Sequence, residues 1–383
     1  MGRAPAATSC CRDGRGPFAT IRPVPTVRVN LANAPYNVVV EPGVLSRISQ
    51  WLSSLTSSKT AVAVFDSAVV NHYRGPLLAS LAERFERVID VAVPSGEDNK
   101  NVATVERLYD QVLRHHIDRR TPLFAVGGGV IGDTAGFVAA TLLRGVPFVQ
   151  VPTTLLAMVD ASVGGKTGVN HPVGKNLIGA FHQPIAVFAD PHTLRTLPPR
   201  ELRGGLAECI KHDVIRDAEG FSKLEQNIGR AIALDMNYLT ELVAHNVAIK
   251  ARVVEADPFE QGERAHLNFG HTFGHAIENV SHYAYSHGES VALGMAAAAQ
   301  LAVDLGMLDE PSRRRIVAVT EAAGLPARGL RLDTDAVVDA MAFDKKVKDG
   351  KLRFVLPDRI GHVVVKDDVP VAAVKRAVKA IRA

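Results

Sequence analysis

Leu123-Phe124-Ala125-Val126-Gly127-Gly128-Gly129-Val130-Ile131-Gly132-Asp133 decides the architecture. Four apolar residues in a row, without alternation, read as a strand buried on both faces, which is the signature of a parallel sheet. The glycines then turn the chain, and the small residues after Asp133 read as a helix packed closely on that sheet. Formally this is Gly-x-Gly-x-x-Gly between a strand and a helix. Glycines there let the backbone approach a pyrophosphate while the helix start supplies amide donors and a favourable dipole. The stretch sits about midway through its domain instead of on the first strand, and its helix is expected to carry Arg144, so the usual order of a dinucleotide fingerprint is not met. A dinucleotide turn and a tight structural turn are the two readings it leaves.

Upstream, Val27 to Asn30 and Asn37 to Val40 have the β-branched composition and partial alternation of a hairpin, and a helix is expected from Val44. Thr60 to Asp66 reads as another buried parallel strand. It ends in a carboxylate that either accepts hydrogen bonds from a ribose or caps the strand end. Arg87 to Val93 repeats the strand pattern and delivers Glu97 and Lys100, and Val102 to His115 is amphipathic at helical spacing. Strands alternate with helices, so the sheet should be parallel. Downstream, Phe148 to Pro152 is a further strand, ending at the hydroxyls of Thr153 and Thr154, which suit a helix cap or a phosphate. From Asp160 to Asn176, Gly164, Gly165, Gly168 and Gly174 alternate with Lys166 and Lys175 in what reads as a loop, a cradle for a phosphate or polyol. Its Gly-Gly-Lys-Thr resembles the end of a nucleoside-triphosphate loop, but Asp160 stands where that motif needs its first glycine, so an ATPase is excluded.

After the strand Ile185 to Asp190 the β signals fade, and Pro198-Pro199-Arg200-Glu201 opens a helical region. Glu208 and Lys211 share a helix face, Lys250 lies on an amphipathic helix from about Leu239 to Ala256, and Glu260 and Arg264 follow in a loop. Leu267-Asn268-Phe269-Gly270-His271-Thr272-Phe273-Gly274-His275 then places two histidines four residues apart, and Ser286-His287-Gly288-Glu289 adds a third. Histidines one turn apart are either a metal-binding pair or a polar helix face. Thr272 follows His271 where a zinc peptidase would carry glutamate, so peptide hydrolysis is disfavoured. Near the end come Asp344-Lys345-Lys346, a short β-like run Arg353 to Pro357, and a final helix.

The 383 residues are 47% hydrophobic and 22% charged, enough for two domains with sizeable cores. A net charge of +4 from 44 basic and 40 acidic residues is too balanced to imply nucleic-acid binding. Cys10, Cys11 and Cys209 suggest no disulfide framework, which fits a reducing cytoplasm. No apolar run reaches membrane-span length. Residues 1–25 carry Arg3, Arg12, Arg15 and Arg22 against Asp13 and are expected to be a disordered tail, with a transit peptide as the other reading.

Taken together, GGGVIGDTAGFVAAT, LRG, QVPTTLLAMVDASVGGKTGVNHPVGKN, LPPREL, GLAECIKH, LNFGHTFGHAIE, HGE and DKK resemble the 3-dehydroquinate synthase family from about Pro94 to Lys346. The resemblance implies a Rossmann-like α/β NAD-binding domain over 26–198 and an α-helical metal- and substrate-binding domain over 199–383. It implies a divalent metal, zinc with cobalt as the alternative ion, held by Glu208, His271 and His287, with His275 moved to proton handling beside Glu260. NAD would meet Asp66, Glu97, Lys100, Gly128, Gly129, Val130, Asp133, Thr153, Thr154, Lys175 and Thr196. Substrate contacts would fall on Asp160, Lys166, Asn176, Lys211, Lys250, Arg264, Asn268 and one lysine of DKK, Lys346 in preference to Lys345, with Arg144 offered across a homodimer interface. The implied reaction converts 3-deoxy-D-arabino-heptulosonate 7-phosphate to 3-dehydroquinate and phosphate by NAD-mediated oxidation, β-elimination, reduction and intramolecular aldol closure, without net use of NAD. The rival readings are another sugar phosphate cyclase, a polyol dehydrogenase that would release NADH, and a non-catalytic NAD-binding protein. The intact set of Lys250, Arg264 and Asn268 favours a carboxylate-bearing substrate, and the intact ligand set disfavours the non-catalytic reading.

Overall fold

The computed structural model describes Met1 and residues 25–345 and 352–382. The expectations for the tail and for Lys346 lie outside the described residues. Seven strands form the main sheet: β1 (Thr26–Val29), β2 (Tyr36–Val40), β3 (Thr60–Asp66), β4 (Arg87–Val93), β5 (Leu123–Gly127), β6 (Phe148–Pro152) and β9 (Ala186–Ala189). Their order is β1-β2-β9-β6-β5-β3-β4, parallel throughout except for the β1–β2 hairpin. From β3 the chain steps outward to β4 and then returns to the other side of β3 as β5. Strand order therefore reverses between β3 and β5, and Phe65 pairs with Val126 there. The carboxyl ends of those two strands are Asp66 and Gly127, and a crevice outside such a reversal is where doubly wound sheets bind ligands.

Helices cover both faces of this sheet. Val105, Leu108 and Val112 of α3 (Val102–Leu113) pack on one face with Ala135 and Val138 of α4 (Gly129–Thr141). Leu52 of the short α1 (Ser49–Leu52) and Leu77 and Leu81 of α2 (Val70–Ala82) pack on the other. The helix expected from Val44 is only a 3-10 turn, Val44–Arg47, followed by α1. The segment read as a glycine-lysine loop is instead a hairpin of β7 (Lys166–His171) and β8 (Gly174–Phe181). Its outward-facing positions on β8 are polar or exposed, so an apolar strand pattern was never required of it.

Beyond β9 the chain is helical: α5 (Pro199–Arg216), α6 (Ala218–Ile232), α7 (Met236–Ala256), α8 (His271–Val280), α9 (His287–Asp304), α10 (Glu310–Ala322), α11 (Thr334–Lys345) and α12 (Val371–Ala380). A second hairpin, β10 (Phe354–Arg359) with β11 (His362–Lys366), interrupts this region, and only its first strand was legible. The largest apolar core is shared. Tyr36, Val38 and Val187 of the sheet edge join Leu206, Ile210, Val247 and Val254 of the helices in one cluster. No helix among the described residues is long and apolar enough to cross a membrane.

Candidate active site

Glu208 on α5, His271 at the start of α8 and His287 at the start of α9 converge on one point, their ligand atoms all within 4.8 Å of one another. His287 Nε2 is 3.5 Å and His271 Nε2 3.8 Å from Glu208 Oε1. Bonds of ~2.1 Å at tetrahedral angles would separate ligand atoms by about 3.4 Å, so the spacing fits one small cation. Three protein ligands with a fourth position open is the catalytic pattern, whereas structural zinc sites are closed by four. The Glu208 side chain is fully buried, and neither oxygen has a hydrogen bond of sound geometry among the described residues. Burial acts to raise its proton affinity, but Lys211, His287 and His271 together hold the carboxyl well below its usual range. Burial and then Lys211 push His271 well below the ordinary imidazole value. Its Nδ1 faces the Phe269 carbonyl at 3.1 Å, and donation there leaves Nε2 with its lone pair toward the site. For His287 burial acts downward, yet the facing carboxylates of Glu208 and Glu278 push it up to about 9.

These three helices come close because glycines meet where they cross. A Cβ on Gly288 of α9 would lie 2.2 Å from Gly204 Cα of α5, and one on Gly294 would lie 2.0 Å from the Gly270 carbonyl oxygen that precedes α8. Side chains at those crossings would hold the ligands apart. The start of α9 is fixed by a capping box in which Ser286 accepts from the Glu289 amide and Glu289 accepts from the Ser286 amide, while Arg200 of α5 bonds Glu289 at 2.9 Å. That box was readable as Ser-x-x-Glu, the signal that places His287 as the first residue of its helix.

Cations and acids gather beside the triad. Asp160 stands in a π-helical turn, Ala157–Ala161, a distortion frequent at functional sites. It contacts the Lys250 ammonium and lies 3.6 Å from that of Lys211, which also pairs with Glu208. Burial and then the Arg264 charge bring Lys250 down to about 7, against the pull of the Glu260 and Asp133 carboxylates. Arg264, 2% exposed, donates to the carbonyls of Pro258 (2.7 Å) and Gly164 (3.2 Å). Lys166, at the head of β7, pairs with Glu260, a residue held at φ 59°. Asn268 closes the 3-10 turn Glu263–Asn268 and is half-buried. His275 lies on the exposed side of α8, its ring 5.4 Å from that of His271 and outside the ligand triad, so the four-residue spacing does not define the metal pair. Behind the triad His212 is fully buried. Burial and then Lys211 push its proton affinity down to about 3, and its Nδ1 bonds Asn246 at 3.1 Å.

Across from these, α4 begins at Gly129 with Gly128 as its N-cap, and no side chain caps the helix. The first amides and Val130 therefore face the crevice between β3 and β5, a position suited to an anionic pyrophosphate. A Cβ on Gly128 would lie 3.2 Å from the Thr154 methyl, and one on Gly127 2.8 Å from Asp66 Cβ, so glycine keeps this cradle open. Thr153 is buried, while Thr196 bonds the Tyr73 hydroxyl on the way into α5. Lys100, 4% exposed, donates to Asp133 Oδ2 and Asn176 Oδ1, each at 2.6 Å, and Asn170 donates to Glu97 at 2.8 Å. Asn176, at φ 55°, thus sits with the cofactor-side residues as well as on the hairpin. Arg144 is away from the triad, exposed in the left-handed turn after α4 and not on that helix.

The profile of the 3-dehydroquinate synthase N-terminal region matches residues 90–204, and that of the 3-dehydroquinate synthase C-terminal region matches residues 205–347. The chain belongs to the 3-dehydroquinate synthase family. The 3-dehydroquinate synthase of a Synechococcus strain is 47% identical over 361 residues, covering 93% of this chain and 98% of that protein. Among solved structures, 2-deoxy-scyllo-inosose synthase with carbaglucose-6-phosphate, NAD+ and Co2+ superimposes with a TM-score of 0.85 at 26% identity, covering 93% of this chain and 99% of that one. ValA, the 2-epi-5-epi-valiolone synthase of Streptomyces hygroscopicus with NAD+ and Zn2+ bound, gives 0.83 at 31% identity, covering 92% and 98%. One residue of this 3-dehydroquinate synthase family member had no role assigned from sequence although it lay inside a quoted motif. Glu278 is buried, and its Oε1 stands 3.5 Å from His287 Nδ1.

Proposed function

We propose that this chain is a 3-dehydroquinate synthase, a lyase of the shikimate route to aromatic amino acids. It converts 3-deoxy-D-arabino-heptulosonate 7-phosphate to 3-dehydroquinate and phosphate. The observation that carries the reading is the ligand triad Glu208, His271 and His287 bordered by Lys211, Lys250 and Asp160. The similarity to the Synechococcus synthase, far above that to the cyclases of other sugar phosphates, favours this substrate.

NAD, when bound, supplies a hydride acceptor that is restored within the cycle, and a divalent metal, zinc in our reading, supplies Lewis-acid polarisation of the carbinol oxygen. Glu208, His271 and His287 would hold the metal. Asp66, Glu97, Lys100, Gly128, Gly129, Val130, Asp133, Thr153, Thr154, Lys175 and Thr196 would form the cofactor groove. Lys211, Lys250, Arg264, Lys166, Asn176, Asn268 and Asp160 bind and orient the substrate. Charge-assisted hydrogen bonds to phosphate and carboxylate are about twice as strong as neutral ones, so the ammonium and guanidinium groups supply most of the grip. His275 and Glu260 receive and return protons at the substrate's carbon and oxygen atoms. Lys166, already paired with Glu260, holds that carboxylate toward the site. The cleft lies between an NAD-binding unit, 26–198, and a helical unit, 199–383, that share one apolar core. We assign the enzyme to the cytoplasm as a homodimer in which Arg144 serves the partner's site, a reading supported by its exposure in a turn away from the triad.

The test supplies the heptulosonate phosphate with catalytic NAD and zinc and follows phosphate, NADH absorbance and carbocyclic product together. Phosphate and 3-dehydroquinate formed over many turnovers without net NADH are expected. Stoichiometric NADH from a polyol would make the protein a dehydrogenase, and turnover only of another sugar phosphate would make it a different cyclase.

A further inference from the structure

Glu278 lies on α8 two turns beyond His271 and is 7% exposed. Its Oε1 is approached by two donors from different parts of the molecule: His287 Nδ1 at 3.5 Å and Lys175 Nζ at 3.9 Å. Lys175 projects from β8 of the hairpin, and its ammonium rests 4.1 Å from the ring centre of Tyr283. Tyr283 and its neighbour His282 occupy the turn between α8 and α9 at φ 62° and 50°. The hairpin that borders the glycine cradle is thus tied to the turn joining the two histidine-bearing helices.

A carboxylate on Nδ1 of an imidazole fixes the proton there, orients the ring and makes Nε2 the better ligand atom. His271 is oriented by a backbone carbonyl, a partner whose charge is fixed. His287 is oriented by an ion whose charge is shared with a lysine. We propose that Glu278 positions His287 for the metal and that Lys175, by sharing the same carboxylate oxygen, couples metal affinity to occupancy of the cofactor groove. This rests on the reading above, in which Lys175 contacts the cofactor. With the ammonium 3.9 Å from Oε1, part of the carboxylate's charge is offset by it. A dinucleotide that engages the ammonium returns that charge to the Nδ1–H of His287, so metal binds more tightly. By linkage, metal tightens dinucleotide by the same factor.

The test measures zinc affinity by competition with a chromophoric chelator, without substrate, for the wild type, Glu278→Gln and Lys175→Gln, each with and without saturating NAD. The visible spectra of the cobalt-substituted proteins report coordination geometry. Glu278→Gln is expected to weaken zinc binding about 10- to 100-fold and to alter the cobalt spectrum. NAD is expected to tighten zinc about fivefold or more in the wild type and to have no such effect in either variant. Lys175→Gln changes an exposed side chain, so its loss of coupling reads the proposal even where Glu278→Gln folds poorly. Wild-type zinc affinity and cobalt spectrum in Glu278→Gln would overturn the positioning role, and an undiminished NAD effect in both variants would overturn the coupling. A wild-type chain that binds no metal and shows no turnover would instead overturn the proposed function, which sets the two failures apart.

Discussion

His287 is where a single side chain tests the most. It is partly exposed, at the first position of a helix held by its own capping box, so His287→Ala removes a ligand without emptying the core. Turnover should be lost and zinc affinity reduced while circular dichroism stays unchanged, and wild-type activity in that variant would sink the ligand assignment. His245 offers a separate test of electrostatics, away from the ligand triad. Its Nε2 is 2.7 Å from Asp213 Oδ1, joining α7 to α5, and that hydrogen bond raises its pKa despite the opposing effect of burial. A raised histidine pKa means the stabilisation is complete below about pH 6.5 and disappears as pH rises through the folded-state value. The gap in melting temperature between the wild type and His245→Gln should therefore be widest near pH 6 and narrow toward pH 9. At this scale the sequence was legible by chemical type more than by partnership. Residue spacing linked His271 to His275, yet the third ligand comes from α5, far upstream. Only the family resemblance, and then the crossing of three helices, brought Glu208 to the two histidines.

At the scale of elements, the glycine crossings carry the prediction. In Gly294→Ala the new methyl would meet the Gly270 carbonyl oxygen and the Gly274 amide, forcing α8 away from α9. Overpacking of that kind costs about 1–3 kcal/mol, and here it should also weaken metal binding, because His271 and His287 begin the two displaced helices. Denaturant unfolding and chelator competition would measure both, and a stability loss with unchanged zinc affinity would show that the crossing does not set the ligand geometry. Buried strands were the most legible elements, since β3 and β5 are continuous apolar runs and β6 is broken only by Gln150. The β7–β8 hairpin was not, because its second strand mixes glycine, polar and apolar residues with no clean alternation, Leu177 and Phe181 being exposed, and depends on its ladder and on packing against α4. Strand β11 lay beyond a register shift between Pro357 and Arg359 that the apolar run before it did not announce.

For the whole molecule, the proposed dimer can be tested by mixing. If Arg144 serves the partner's site, Arg144→Ala and His287→Ala chains are each inactive alone, while their heterodimer contains one intact site. Unfolding and refolding an equimolar mixture should restore about a quarter of wild-type activity, and no recovery from a mixture that does form dimers would place Arg144 outside the partner's site. The parallel sense of the sheet was foreseeable from strands alternating with helices, and the helical second half from the fading of β signals after Asp190, whereas the strand order was not. The core that crosses from the sheet edge into α5 and α7 was not, because apolar residues in a sequence do not name the surface they will meet.

Helix α5 runs from Pro199 to Arg216, and the two family profiles meet inside it, between residues 204 and 205. Gly204, which touches Gly288, falls on one side of that seam, and Glu208 falls on the other. For anyone building chimaeras from related cyclases, this is the wrong place to cut. A crossover there would graft a foreign first turn onto the helix that bears the metal carboxylate. Parents joined in the turn before Pro198 would inherit that helix whole, together with the specificity it carries.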